Sequence, residues 1–235
     1  MTSSEPFVQA FHARRPRATS SAFARGGSYG RLAALVPDGA RVLDLACGEG
    51  ALLAHLGSRA VGVDLAIGDL SIACGTVARA RAQALPFADA SFDVVTCHLA
   101  FMLFDELPAV VRELERVLVP GGKFLAVLGG GPTATDYDAF ARFVALLSPT
   151  PPLGDRRAKT EAGWRELMPR WTVQPFERWP LDFSGTFDEV WSFLGASYEA
   201  RPEHEAKLRS ACAEFGPRIP CTAVVYFASA ERPSG

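Results

Sequence analysis

Two acidic residues and two glycines follow short apolar segments in the first third of the chain. Val42–Leu45 has the apolar character of a strand buried on both faces of a parallel sheet, and Gly48 and Gly50 come directly after it. Glycine has no Cβ atom, so the backbone can turn sharply there and approach a ligand closely. Residues 51–56 are typical of a helix, and the free N–H groups at a helix N-terminus favour an anionic or carboxylate group. The pattern predicts a strand, a ligand-binding loop and a helix.

A second acid stands at the end of the next apolar segment. Residues 60–65 predict another short strand, and Asp64 lies 20 positions after Asp44. A strand–helix–strand unit needs about this spacing before the second strand end lies beside the first, and an acid there accepts hydrogen bonds from ribose hydroxyls. Asp44 lies at the carboxyl end of its strand, where open α/β sheets bind ligands. The two acids and the loop together predict a nucleoside site.

At these residues the chain resembles the class I S-adenosylmethionine-dependent methyltransferases, in particular those that act on small molecules. Residues 44–50 (Asp-Leu-Ala-Cys-Gly-Glu-Gly) are similar to the first motif of that family, with Ala46 where glycine is commoner. Asp64 matches the ribose-binding acid of the family. Two further signatures follow in order: Leu-Pro-Phe to Ser-Phe-Asp over 85–93, and Arg-Val-Leu to Pro-Gly-Gly over 116–122. The resemblance extends from about residue 29 to residue 131.

The resemblance implies a doubly wound, Rossmann-like α/β fold. The expected sheet has seven strands and is mostly parallel, with an antiparallel last strand and helices on both faces. One methyltransferase domain is expected over 1–235, in which 1–36 form an N-terminal lid with helices. Residues 37–131 form the cofactor-binding core, and 132–235 supply substrate-side helices and the last strands.

The implied reaction is the transfer of a methyl group from S-adenosylmethionine to a small-molecule acceptor by in-line displacement. The product of the cofactor is S-adenosylhomocysteine, and the acceptor atom is oxygen, nitrogen or carbon, with a secondary metabolite as one candidate. Asp64 is expected to bind the ribose, the 46–50 loop the methionine portion, and Ala82 with Gln83 the adenine. The residues expected to bind the cofactor are Tyr29, Asp44, Ala46, Cys47, Gly48, Gly50, Asp64, Leu65, Ala82, Gln83 and His98.

One departure from the family pattern concerns adenine. The family often has an aspartate that accepts from the adenine amino group at the position of Arg81. Backbone groups of Ala82 and Gln83 remain available for the adenine edge, and an arginine offers stacking on the base instead.

His98 is the candidate general base, because it follows the fourth predicted strand and a histidine titrates near neutrality. A base is needed only if the nucleophile keeps a proton at the working pH. The alternative is a histidine that lines the pocket or offers its backbone to the amino group of the cofactor. His12 and His204 are weaker candidates, and His55 is expected to be solvated.

Aromatic and sulfur-containing side chains after the cofactor signatures are candidate walls of an apolar acceptor pocket, with ordinary core packing as the alternative for each. These are Phe101, Met102, Phe104, Trp164, Trp191 and Tyr198. The acids of 136–138 either position a substrate hydroxyl or favour a helix N-terminus.

The composition of the chain argues against nucleic-acid, metal and membrane partners. A net charge of −2 gives no long-range basic field, so no nucleic-acid partner is expected. The five cysteines form no CxxC pair, so no metal site is expected. The sequence has no run of membrane-spanning length, and a cytoplasmic monomer or homodimer without a membrane partner is expected.

Three other functions share some of these features. A nicotinamide-dependent oxidoreductase has a related topology, but its fingerprint requires glycine where Leu53 stands. A non-catalytic S-adenosylmethionine-binding module is the second alternative. An RNA or protein methyltransferase is the third. Nucleic-acid methyltransferases often carry an Asn/Asp-Pro-Pro-Tyr/Phe motif after the fourth strand, where this chain has Cys-His-Leu-Ala over 97–100.

Overall fold

The protein is built around one sheet with helices packed on both of its faces. The computed structural model describes residues 10, 17–66, 73, 75–133, 138–147, 154–197 and 200–234. The strands are β1 Val42–Leu45, β2 Ala60–Asp64, β3 Thr76–Arg79, β4 Phe92–His98, β5 Leu118–Pro132, β6 Thr172–Val173, β7 Glu177–Asp182 and β8 Thr222–Glu231. The α-helices are α1 Ala18–Phe23, α2 Ser28–Ala34, α3 Leu53–Leu56, α4 Leu107–Val117, α5 Ala139–Leu147, α6 Glu161–Leu167, α7 Phe187–Ser197 and α8 Pro202–Ala211.

The strand order is that of a doubly wound sheet. The order is β3-β2-β1-β4-β5-β8-β6, and β7 also pairs with β8. Strands β1 to β5 run parallel to one another, whereas β8 runs antiparallel to β5, β6 and β7. The chain reverses its order next to β1, whose two neighbours are β2 and β4. Ligands bind at this position in open α/β sheets, outside the carboxyl ends of the strands.

The predicted α/β class and the antiparallel last strand are confirmed, but the sheet has eight strands rather than seven. A loose alternation of side chains over 171–183 predicts one strand there, but residues 174–176 divide it into β6 and β7. Pro175 lies in this interruption, and proline has no N–H to donate to a neighbouring strand. Both pieces pair with β8.

Successive residues of the central strands point to opposite faces of the sheet, and both faces are buried. Val42 and Val94 belong to one buried cluster with α3, α5, α7 and α8, whereas their neighbours Leu43 and Val95 belong to another with α4 and α6. Each strand therefore contributes to two cores. Burial on both faces is the reason that the sequence shows continuous apolar runs here.

Several boundaries differ from the sequence-based expectations. The sequence predicts a loop over 14–21, but helix α1 occupies part of this segment. Helix α3 is a single turn that Gly57 ends at φ +68°. The sequence predicts a fifth strand over 124–128, and β5 is much longer because it pairs with β4 on one side and β8 on the other. A helix is also predicted over 65–74, which lies largely outside the described residues.

Candidate functional site

The loop after β1 takes its shape from three left-handed residues. Ala46, Gly48 and Gly50 have φ values of +58°, +53° and +83°. The Cys47 N–H donates to the Val63 carbonyl at 3.0 Å, which joins the loop to the neighbouring strand. The loop therefore turns at the carboxyl end of β1, as its glycines predicted.

A glycine outside the loop also determines where the loop lies. A Cβ atom on Gly62, in β2, would stand 2.6 Å from the Cys47 sulfur and 2.9 Å from Leu53. Any larger residue at position 62 would displace the loop or α3. Sequence analysis missed this position, because a glycine inside a strand is informative only when its neighbours are known.

The two acids at the strand ends are held in different ways. Asp44 is 2% exposed, and its Oδ1 accepts a hydrogen bond from Thr96 Oγ1 at 3.0 Å. Burial raises the pKa of Asp44 to about 7; the Thr96 hydrogen bond opposes this shift and the charge of Asp64 adds to it. Asp64 Oδ2 accepts from the Gly48 N–H at 2.9 Å, and its Oδ1 accepts from the Ala66 N–H at 2.8 Å. The Asp64 carboxylate is therefore fixed against the loop, and each oxygen keeps further acceptor capacity.

One cavity of about 170 Å³ lies at the carboxyl ends of β1, β2 and β4. It brings together ten of the eleven residues expected to bind a cofactor: Tyr29, Asp44, Ala46, Cys47, Gly48, Asp64, Leu65, Ala82, Gln83 and His98. Gly50 is the exception. It does not line the cavity, and its positive φ instead turns the chain towards α3.

Two alanines and a glutamine line the side of the cavity where adenine is expected. Ala80, Ala82 and Gln83 line it, and Gln83 Nε2 donates to the Asp105 carbonyl at 2.8 Å. Arg81 is exposed and does not line the cavity. The suggested stacking of Arg81 on a base is therefore not supported, because Arg81 begins the tight turn over 81–84, in which Ala82 and Gln83 line the cavity and Arg81 does not.

His98 lies in an aromatic enclosure formed by the N-terminal helices. Its ring stacks on Tyr29 with centroids 3.9 Å apart and meets Phe23 edge-on at 6.2 Å. Its Nε2 is 2.9 Å from Ser28 Oγ. Burial lowers the pKa of His98 to about 3, so the ring is neutral at physiological pH. The expectation that His98 titrates near neutrality is wrong, because the sequence did not reveal that Phe23, Ser28 and Tyr29 would cover it.

Tyr29 is also kept in its neutral form. Burial raises the pKa of the Tyr29 hydroxyl, and the charges of Glu49 and Asp44 raise it further. The cavity therefore presents an uncharged hydroxyl and an uncharged imidazole beside carboxyl groups.

Comparison with known proteins agrees with this geometry. Residues 43–126, which run from β1 into β5, match the family described as the methyltransferase domain. The YcgJ protein of Bacillus subtilis has the same fold, with a TM-score of 0.62 at 21% identity over 88% of this chain and 99% of that one. Over residues 43–126 the chain is therefore similar to the methyltransferase domain family, and its fold is that of the class I methyltransferases.

Two curated relatives, both named as methyltransferases, are similar to part of this chain. A demethylmenaquinone methyltransferase of Thermus thermophilus is 35% identical over 101 residues, covering 37% of this chain and 46% of the relative. A ubiquinone biosynthesis O-methyltransferase of Xanthomonas axonopodis pv. citri is 35% identical over 132 residues, covering 50% and 55%. The chain therefore matches about half the length of these relatives.

The candidate pocket walls separate into lining and core residues in this methyltransferase fold. Phe104 lines the cavity, whereas Phe101 and Trp164 are fully buried in the core and contact each other with ring centroids 5.4 Å apart. Met102 and Trp191 pack against the core and do not line the cavity. Tyr198 lies outside the described residues, as do His12, Asp136 and Tyr137.

The other titratable candidates have structural positions. His204 Nδ1 accepts from the Arg201 N–H at 3.2 Å at the start of α8, and His55 is exposed on α3. Asp138 accepts from the Phe140 and Thr222 N–H groups, so it joins α5 to β8. None of these residues reaches the cavity.

Several residues that line the cavity were not identified from the sequence. Thr19 and Ser20 lie on α1, and Ser20 Oγ contacts Glu49 of the loop. Leu99 and Leu103 add an apolar wall after β4. The Thr and Ser hydroxyls gave no signal because they lie in the 14–21 segment, where a loop is predicted, whereas Glu49 lies within the recognised motif and could have been named.

The described ranges contain neither a cluster of possible metal ligands nor a membrane-spanning helix. No group of three or more His, Cys, Asp or Glu side chains there could hold a metal ion. None of the helices described is long and apolar enough to cross a membrane.

Proposed function

We propose that this protein transfers the sulfonium methyl group of S-adenosylmethionine to a small, largely apolar acceptor. The observation that carries the proposal is the cavity at the carboxyl ends of β1, β2 and β4, in which the 46–50 loop, Asp64 and His98 meet. The match of residues 43–126 to the methyltransferase domain supports it.

The residues of the cavity fit the parts of this cofactor. Asp64 is already fixed by two backbone N–H groups and retains lone pairs for the two ribose hydroxyls. Ala80 and Ala82 leave room for a flat base beside Gln83. Asp44 and Glu49 place negative charge where a sulfonium and an ammonium group would lie.

The proposed mechanism requires positioning rather than activation of the leaving group. When bound, S-adenosylmethionine supplies an electrophilic methyl group and a neutral thioether leaving group. The chain must hold the nucleophile in line with the sulfur–carbon bond and exclude water. Leu99, Leu103 and Phe104 supply an apolar wall for that purpose, and the N-terminal helices contribute Tyr29 to the lining.

An aromatic acceptor that carries an oxygen is the substrate class we propose. The two curated relatives are named demethylmenaquinone methyltransferase and ubiquinone biosynthesis O-methyltransferase. Quinones have planar, largely apolar rings. The apolar wall at Leu99, Leu103 and Phe104 suits such a ring, and the proposal includes methylation at either oxygen or carbon.

Two measurements test the proposal against its alternatives. Calorimetry should show binding of S-adenosylmethionine and none of NAD; the reverse result would indicate an oxidoreductase. Incubation with methyl-labelled cofactor should then transfer label to a metabolite extract and not to RNA or protein. Binding without any transfer would indicate a non-catalytic module.

The ribose assignment has its own test. Asp64→Ala should weaken cofactor binding at least about tenfold, on the order of 1.4 kcal/mol, because hydrogen bonds to a charged group are lost. The matched control is Asp188→Ala, which removes a carboxylate whose side chain is 87% exposed on α7. Equal affinity of the two variants for S-adenosylhomocysteine would refute the role of Asp64.

A further inference from the structure

His98 lines the cavity, and one of its ring nitrogens is buried without a hydrogen-bond partner. The residue is 9% exposed, and its Nδ1 has no partner among the residues that the structure describes. The other ring nitrogen, Nε2, meets Ser28 Oγ at 2.9 Å. A buried polar atom without a partner costs about 1–3 kcal/mol, so a partner supplied by a ligand would be favourable.

Ser28 determines which nitrogen carries the proton. Ser28 is fully buried, and within the described part of the chain its side chain has one hydrogen-bond partner, His98 Nε2. A buried hydroxyl proton needs an acceptor, so the Ser28 O–H donates to Nε2. Burial lowers the pKa of His98 to about 3, so the ring is neutral and carries a single N–H proton. That proton is therefore on Nδ1, and the nitrogen without a partner is a donor.

The charges around the cavity also limit which parts of a ligand can lie beside His98. Its described lining includes four carboxyl side chains and neither lysine nor arginine: the acids are Asp44, Glu49, Asp64 and Asp105. These acids suit the cationic parts of a ligand. A negatively charged oxygen of the same ligand needs neutral donors instead, and the stacked pair of Tyr29 and His98 provides them.

We infer that His98 Nδ1–H donates a hydrogen bond to an anionic oxygen of a bound ligand. In this role His98 is a positioning group and not the base that removes a proton. The inference rests on the proposed function, which supplies two sources of such an oxygen. One is the carboxylate of the cofactor, and the other is a phenolate or enolate oxygen of the acceptor.

The first test is the tautomer of His98 in the protein without ligand. Long-range proton–nitrogen spectra of histidine-labelled protein should show His98 protonated at Nδ1 and unchanged between about pH 5.5 and 8.5. Ser28→Ala should increase the fraction protonated at Nε2, because the donor to that nitrogen is lost. Ser192→Ala, which removes an exposed hydroxyl from α7, should change nothing. A wild-type ring protonated at Nε2 would overturn the inference.

The second test separates the two sources of the oxygen. If the cofactor carboxylate is the partner, S-adenosylhomocysteine should shift the Nδ1–H resonance downfield, and 5′-methylthioadenosine, which lacks the amino acid, should not. If the acceptor is the partner, neither should shift it, and 1,4-naphthohydroquinone added to the S-adenosylhomocysteine complex should. No shift with any of the three ligands would overturn the inference.

A variant gives an independent readout of the same choice. If the cofactor carboxylate is the partner of His98, His98→Phe should bind S-adenosylhomocysteine about tenfold more weakly, a loss of about 1.4 kcal/mol. The variant should bind 5′-methylthioadenosine as wild type does. If the acceptor is the partner, only the affinity for 1,4-naphthohydroquinone should fall. The wild-type spectra remain decisive if this variant does not fold. Failure of S-adenosylhomocysteine to bind wild type would refute the proposed function, whereas binding that leaves His98 unchanged would refute only this inference.

Discussion

At the scale of single residues, two that line the cavity have left-handed backbones without being glycine. Ala46 has φ +58° at the end of β1, and Leu99 has φ +56° directly after β4. A left-handed L-residue costs about 1–2 kcal/mol and persists only where its surroundings fix it. Here Leu99 N–H donates to the Val127 carbonyl at 2.8 Å, so the strained residue is held by the sheet. The cavity is therefore shaped partly by strain that the fold sustains.

Replacing Ala46 should relieve part of that strain. Ala46→Gly should raise the free energy of unfolding by about 0.5–1 kcal/mol, because the removed strain exceeds the extra entropy that glycine gives the unfolded chain. Chemical denaturation measures the change. As a matched control, Ala54→Gly in α3 should lower stability by up to about 1 kcal/mol, since a right-handed helix favours alanine. A loss of stability in Ala46→Gly would show that residue 46 is not strained.

Asp44 should make cofactor binding depend on pH. Its raised pKa of about 7 means that the free protein holds a proton there below neutrality. A cationic sulfonium favours the ionised carboxylate, so binding releases the proton, and affinity rises with pH by at most about tenfold per unit until Asp44 is ionised. Calorimetry from about pH 6 to 8, in buffers of different ionisation enthalpy, measures both effects. Asp44→Asn should bind with little dependence on pH, and an equal slope in this variant would assign the proton to another group.

At the scale of elements, the sequence predicted those parts whose signal is local. The apolar run of β1 and the acid that ends β2 each have a pattern within a few residues, and each is found at its expected position. The same holds for α4, since the spacing of Leu107, Val110 and Leu114 predicts an amphipathic helix over 105–118. Helix α1 and the division between β6 and β7 were missed. Both depend on partners distant in sequence: Phe23 of α1 packs on Phe183 and Phe193, and both strand pieces pair with β8.

The same distinction separates what was found at the site from what was missed. Asp64 and the glycines of the loop could be placed because their chemistry and spacing are sufficient. The protonation state of His98 could not, because it depends on burial by Phe23, Ser28 and Tyr29, some 70 residues away in the chain. Burial, rather than residue type, determines whether that imidazole is charged.

Arg31 of helix α2, the helix that supplies Ser28 and Tyr29, contacts residues of the sheet. The Arg31 guanidinium lies 4.0 Å from the Trp179 ring centroid and 5.3 Å from that of Phe227, and it pairs with Glu177. These partners lie on β7 and β8, the antiparallel side of the sheet. The position of His98 and its neighbours therefore depends on contacts made outside the cavity.

Removing this arginine should loosen α2. Arg31→Ala should lower the free energy of unfolding by about 1–2 kcal/mol, since a partly buried cation–π contact contributes about 0.5–2 kcal/mol and a half-exposed ion pair adds little. It should also increase hydrogen exchange across α2. Arg178→Ala, an exposed arginine on the same strand as Trp179, serves as the control and should have little effect. Unchanged exchange in α2 would show that Arg31 does not hold it.

At the scale of the whole molecule, the cavity joins parts that are distant in the chain. Its lining runs from Thr19 to Asp105, so the cofactor strands and the N-terminal helices both contribute. The second half of the chain packs against the N-terminal helices. Phe23 of α1 contacts Phe183 and Phe193, and the rings of these two residues stack with centroids 3.7 Å apart. A ligand in the cavity therefore contacts α1 at Thr19 and Ser20, and α1 in turn packs through Phe23 on the second half of the chain.

Binding should for this reason stabilise the molecule as a unit. S-adenosylhomocysteine at one hundred times its dissociation constant should add about 2.7 kcal/mol, which corresponds to a rise in Tm of about 5–11 °C for a chain of this length. Asp64→Ala at the same ligand concentration should rise by only about 3–6 °C, because a tenfold weaker complex gains about 1.4 kcal/mol. Calorimetric unfolding measures both shifts, and NAD at equal concentration is the control. One cooperative transition that moves as a whole is expected; a transition that splits, with only part of it moving, would show that the N-terminal helices and the 139–234 half fold independently of the site.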